Sequence, residues 1–157
     1  MSRPKVIPCL WFDGKAEEAA RFYVSLFEDA EILGVTPGPD GSPLVVEFRL
    51  GETTFTALNG GPHFTFNEAV SLSINCDSQE ELDVLWETLC EGGSESQCGW
   101  LKDRYGLSWQ VVPSVLPDLL KGGDPARAAR VMGAVMSMIK LDIARLRAAA
   151  DGEEEAA

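Results

Sequence analysis

The 157-residue sequence uses one unit twice, and that repeat limits its fold more than any other feature. At an offset of 64 (Leu10 to Ile74), Phe12 falls on Cys76, Asp13 on Asp77, Glu17 on Glu81, Phe22 on Trp86 and Leu26 on Cys90. Several matched positions are those a strand and the following helix would turn inward, so the repeat is one of structure as well as of letters. A chain that duplicates a strand-then-helix unit builds two similar modules.

Periodicity fills in each module. Val6 to Phe12 carries Leu10 and Phe12 at strand spacing. After Asp13-Gly14 a helix follows, with Ala19, Phe22, Tyr23, Leu26 and Phe27 on one face. Ala30 to Thr36 reads as a strand ending in the turn-rich Pro37-Gly38-Pro39-Asp40-Gly41; Leu44 to Leu50 and Thr53 to Leu58 are strands joined by Gly51-Glu52. Residues 6–59 are thus a βαβββ module. The second module, 69–113, has a helix stopped by Gly92-Gly93, then strands at Glu95 to Leu101 and Leu107 to Pro113. Beyond Pro113 the pattern is helical. Asp124 is an N-cap with Pro125 at the first helical position, and Ala128, Met132, Val135 and Ile139 recur at four, three and four residues, an apolar face that reads as a cover for one side of the sheet or for a subunit interface. Leu141 to Ala150 continues as helix with Ile143 and Leu146 inward. The expected architecture is α+β: a single domain over 1–150, comprising two modules and a helical part at 114–150, followed by an acidic tail at 151–157.

Charge narrows the partners. Thirteen Lys and Arg against 25 Asp and Glu give a net charge of -12, which excludes nucleic acid, because phosphate binding depends on basic side chains. No apolar run approaches the ~18 residues of a membrane span, and the chain opens on Met1-Ser2-Arg3-Pro4-Lys5 rather than an apolar leader, so no membrane partner and a cytoplasmic location are expected. Cys9, Cys76, Cys90 and Cys98 include no CxxC pair and read as reduced thiols.

Three segments carry a family resemblance: Ile7-Pro8-Cys9-Leu10-Trp11-Phe12-Asp13-Gly14 with Phe22-Tyr23 behind it, Phe64-Thr65-Phe66-Asn67-Glu68-Ala69, and Gln97-Cys98-Gly99-Trp100-Leu101-Lys102-Asp103-Arg104-Tyr105-Gly106-Leu107-Ser108-Trp109-Gln110. The chain resembles the PhnB-like branch of the vicinal oxygen chelate superfamily (glyoxalase, bleomycin resistance, extradiol dioxygenase), whose members often carry the label 3-demethylubiquinone-9 3-methyltransferase. The resemblance implies two βαβββ modules forming a cup, commonly in a homodimer. It also implies a divalent ion held by histidines near the first strand of each module and glutamates in the last. At those places this chain has Val6 or Ile7, Val70 or Ser71, Phe55 or Thr56, and Gln110.

The composition agrees with that departure. The chain has one histidine, His63, in the Gly60-Gly61-Pro62 loop, too few for a two-histidine iron site or a conventional catalytic zinc. No glycine-rich strand-to-helix turn suits S-adenosylmethionine, and no metal or other cofactor is expected. Cys98 and Asp103 are the candidate catalytic groups; a thiol between Gln97 and Gly99 near Lys102 and Arg104 is the most favourable of the four for reactivity. Trp11, Phe64, Phe66 and Trp100 offer apolar walls; Asn59, Asn67, Gln97 and Gln110 offer polar contacts, with Cys98 beside them, as in a small-molecule pocket. Trp109 and Gln110 are adjacent on a strand and face opposite ways, with Gln110 expected toward the cup. Two functions follow: a metal-independent binder of a small molecule, with the acidic surface favouring a cation, or a PhnB-like enzyme, either the labelled methyltransferase or a divalent-metal lyase, isomerase or dioxygenase. A homodimer is expected from the resemblance and from the apolar helix at Met132 to Ile139.

Overall fold

The computed structural model describes residues 3–153, so most of the acidic tail expected at 151–157 lies outside the described residues. The chain divides into two compact units, the first ending at Phe66 and the second beginning at Asn67.

The first unit has the order β1 (Cys9–Phe12), α1 (Ala16–Ser25), β2 (Ala30–Pro37), β3 (Pro43–Leu50), β4 (Thr53–Asn59). Its sheet runs β1-β4-β3-β2, with β1 parallel to β4 and the other pairs antiparallel. Alternation sorts the side chains. Leu10, Phe12, Val46, Phe48, Phe55 and Ala57 are buried on the face that α1 covers, where Phe48 stacks on Phe55 at 5.1 Å between ring centres. The helix buries Ala16, Ala19, Ala20 and Tyr23. This corrects the expected face: Phe22, Leu26 and Phe27 are only half-buried, because three alanines seat the helix close to the sheet and Tyr23 fills the remaining space. No side chain of α1 caps its own start. Instead Asn59 Oδ1, at the end of β4, accepts from Ala16 N at 2.9 Å.

The second unit repeats the order with β5 (Ser71–Cys76), α2 (Gln79–Cys90), β6 (Ser94–Glu95), β7 (Trp100–Lys102) and β8 (Ser108–Pro113), in a sheet β5-β8-β7-β6. The repeat holds at the level of register. Leu10 pairs with Ala57 in the first sheet and its counterpart Ile74 pairs with Val111 in the second, so Thr56 is the counterpart of Gln110. Ser78 caps α2 by accepting from Glu81 N, and Leu82, Leu85, Trp86 and Leu89 pack it onto the sheet.

The strand expected at Glu95 to Leu101 is two short strands. Cys98 has φ 63° and Gly99 φ 83°, left-handed conformations that a strand cannot hold. Their N–H groups turn to Met138 O and Ile139 O, both at 2.8 Å. The chain then forms α3 (Leu116–Leu120), α4 (Pro125–Met136) and α5 (Ile143–Asp151), with Asp124 and Asp142 as side-chain N-caps of the last two. The apolar face expected on α4 divides between core and surface. Val131 and Val135 are buried, whereas Met132 and Ile139 are 43% and 50% exposed. The helix stops at Met136, which takes Ile139 out of its phase and lets Met138 turn into the core.

Candidate functional site

On the second sheet most side chains opposite α2 are polar. Trp109 is buried on the helix side, where its indole N–H donates to Asp103 Oδ2 at 2.9 Å, and Gln110 therefore points the other way. Gln110 pairs with Ser73 on β5 and with Trp100 on β7, and its Nε2 donates to Ser71 Oγ at 3.0 Å. Asn75 and Val112 continue this face on one side, and Lys102, ion-paired with Glu68, continues it on the other. Ser108, two residues before Gln110, shares the face; its Oγ is the one side-chain oxygen, among the described residues, that is buried without a hydrogen-bond partner. Of Val70 and Ser71, only Ser71 lies in the strand, and its hydroxyl is the one beside Gln110.

The matching face of the first sheet carries Cys9, Trp11, Val45, Glu47, Thr56 and Leu58. Thr56, not the buried Phe55, lies on it. Trp11 donates from Nε1 to Gly61 O at 2.9 Å, and Phe64 meets its ring edge-on at 4.9 Å. Gly60 is required there, since a Cβ would lie 2.3 Å from the Trp11 ring. Arg3 forms an ion pair with Glu47.

The remaining candidates sit as follows. Phe66 packs edge-on against the buried Phe12 at 5.3 Å. Asn59 is engaged twice, at Ala16 N and by donating to Pro43 O, and Asn67 closes a turn by accepting from Ala69 N. Asn59 also lines an open cleft of about 730 Å³ in the first unit, rimmed by Glu17, Glu18 and Asp40. Gln97 is exposed, and its carbonyl accepts from Trp100 N. Cys98 Sγ lies 3.5 Å from Met136 Sδ. Asp103, 2% exposed, accepts from Tyr105 N, Leu107 N and the Trp109 indole, and so holds the β7–β8 turn. His63 is exposed in its loop. Burial pushes the Cys76 thiol up to about 12 and Cys90 to about 11, with nearby carboxylates adding to both. The alternation of β5 and β8 could have revealed Ser71, Ser73 and Ser108 from sequence; that Ser108 lacks a partner could not have been read there.

These donors do not fit a divalent transition ion. Gln110 and Ser71 are neutral and hydrogen-bonded to each other, and no group of three or more His, Cys, Asp or Glu side chains comes together among the described residues. Nor do the glycine doublets beside strands fit S-adenosylmethionine. Gly60 is filled by Trp11, and a Cβ on Gly93 would sit 2.1 Å from Lys102 O, so neither leaves backbone open for a cofactor.

Two βαβββ modules with mixed sheets define the glyoxalase and bleomycin-resistance class of α+β proteins. The family described as 3-demethylubiquinone-9 3-methyltransferase matches residues 4–112, and the chain belongs to it. Among solved structures, a PhnB protein from Bacillus cereus is 32% identical over 70% of this chain and 99% of its own, with a TM-score of 0.66. PA1353 from Pseudomonas aeruginosa is 24% identical over 68% of this chain and 95% of its own (TM-score 0.56). The fosfomycin resistance protein FosX from Listeria monocytogenes shares the fold at 14% identity, over 78% of this chain and all of its own (TM-score 0.56). No curated protein matches the chain.

Proposed function

We propose that this protein binds a small organic molecule without a catalytic metal, on the face of the second sheet that carries Gln110. The observation that carries the reading is the neutral hydrogen-bonding set of Ser71, Ser108 and Gln110 beside the Trp100 ring. Amide and hydroxyl groups orient a ligand, an indole gives it an apolar wall, and the unpaired Ser108 hydroxyl leaves one hydrogen bond for the ligand to complete. Gln97 and Cys98 lie at the approach to β7, with the Cys98 thiol against Met136. On the first sheet Trp11 and Phe64 form a comparable wall, while Phe66 packs on Phe12 and Asn59 and Asn67 are engaged by backbone amides. The net charge of -12 favours a cationic or neutral ligand over an anion, and the protein works as a homodimer. FosX from Listeria was crystallised with Mn(II) and sulfate; the present chain has an amide and a hydroxyl where the resemblance calls for ion ligands, so binding here is read as independent of such an ion.

A thermal-shift screen of neutral and cationic aromatic compounds, with EDTA present, tests this. Hits should bind the wild type in calorimetry and bind Gln110→Ala and Trp100→Ala more weakly. Hits that need an added divalent ion, or that bind both variants unchanged, would refute it.

A further inference from the structure

Two of the three methionines in the described residues stand outside the core. Met132 is 43% and Met136 62% exposed, although methionine at helical spacing usually serves as packing. They are four residues apart on α4, which places them on one face of the helix. Beside that face lies Cys98, whose thiol is 3.5 Å from Met136 Sδ.

The thiol does not reach that position by chance of rotamer alone. Cys98 has φ 63°, a conformation that is costly for a residue with a Cβ. The Cys98 and Gly99 N–H groups hold it there through their bonds to Met138 O and Ile139 O, just past the end of α4. Gln79 fixes the same segment on its other side, donating to Leu141 O at 3.2 Å and accepting from Ile143 N at 2.8 Å. Thus a strained loop is fastened to the chain just past α4, which sets the half-buried Cys98 thiol in sulfur-to-sulfur contact with Met136, one turn along the helix from Met132.

We propose that Cys98, Met136 and Met132 form a binding site for a soft monovalent cation, Cu(I). Thiolate and thioether ligands select this ion over the hard divalent cations. The ion takes the place of the thiol proton: the Cys98 S–H bond breaks, a Cys98 S–Cu bond forms, one proton leaves to solvent, and copper stays Cu(I) throughout. With metal–sulfur bonds of about 2.3 Å and trigonal angles, neighbouring sulfurs stand about 4 Å apart. The 3.5 Å Cys98–Met136 separation reaches that by a small side-chain rotation. Cys76 does not compete, because it is buried out of reach of an ion. The site uses none of Ser71, Ser108 or Gln110 and stands independently of the ligand-binding reading.

The test is anaerobic titration of the full chain with Cu(I) against a chromophoric Cu(I) chelator, with proton release followed in parallel. The expected result is one Cu(I) and one proton per chain, with sulfur-only coordination by X-ray absorption. Cys98→Ser should abolish binding. Met136→Leu, at an exposed position that tolerates the change, should weaken it by at least the roughly tenfold that an outer-shell change already costs a metal site. Cys9→Ser should leave it intact, because Cys9 lies on the first sheet. Failure to retain copper, retention in Cys98→Ser, loss in Cys9→Ser, or an unchanged affinity in Met136→Leu would each overturn the proposal.

Discussion

Gln110 and Ser71 join side chain to side chain across the parallel β5–β8 pair, Nε2 to Oγ at 3.0 Å, on the sheet face turned away from α2. An amide held this way has its carbonyl available for a ligand. Gln110→Ala is expected to weaken binding of a screening hit by about 0.5 to 1.5 kcal/mol, the usual worth of one neutral hydrogen bond, without a change in melting temperature of more than a few degrees. Gln110→Glu adds one carboxylate to a hydroxyl neighbour, and calorimetry with Mn(II) or Zn(II) should detect no site. An unchanged affinity in the alanine variant would remove Gln110 from the binding face.

Asp103 holds the β7–β8 turn through the Trp109 indole and the Leu107 amide, both buried, and the half-buried Tyr105 amide. Asp103→Ala strands these donors, at a cost of about 1 to 3 kcal/mol for each buried donor left unsatisfied. The expected result is a melting temperature lower by several degrees and Trp109 emission shifted to longer wavelength. A variant as stable as the wild type would show that water replaces the carboxylate.

Gly60 lies flat against Trp11, with no room for a Cβ. Gly60→Ala should displace the indole from Gly61 O and cost about 1 to 3 kcal/mol, as overpacking does. Chemical denaturation together with tryptophan fluorescence would read both effects; unchanged stability and emission would contradict this packing.

Cys76 and Cys90 hold their protons more tightly when folded, at about 12 and 11, against about 8.5 for a free thiol. Below pH 8.5 both states are protonated and this contribution to stability is fully present. Above it the unfolded chain loses protons that the folded chain keeps, so stability falls and the contribution is lost as the pH passes 11 and then 12. The urea midpoint should therefore drop between pH 8 and 10.5, and drop less in a Cys76→Ala, Cys90→Ala double variant. Iodoacetamide at pH 8 should leave Cys76 unlabelled in the folded protein.

The modules could be read from the sequence because their signals are local: the Leu10–Ile74 offset, strand alternation, the turn at Gly51-Glu52, and the Asp124-Pro125 helix start. The orientation of Gln110 followed from its neighbour Trp109 in the same way. The break at Cys98-Gly99 could not be read so. It depends on Met138 O and Ile139 O, about 40 residues further along the chain, which accept the amides that a continuous strand would have used. Whether Met132 or its neighbour Val131 turns inward was hidden for a similar reason, since both lie within one turn of Val135 and only packing chooses between them. Asn59 reads as a pocket amide because nothing local shows that it caps a helix 43 residues earlier.

Native mass spectrometry of protein purified without denaturant, before and after EDTA and alongside Gln110→Ala, tests the central claim most directly. The expected spectrum shows an organic adduct on the wild type that survives EDTA and is diminished in Gln110→Ala. One divalent transition ion per chain, with the adduct lost when EDTA removes it, would contradict a metal-independent binding face.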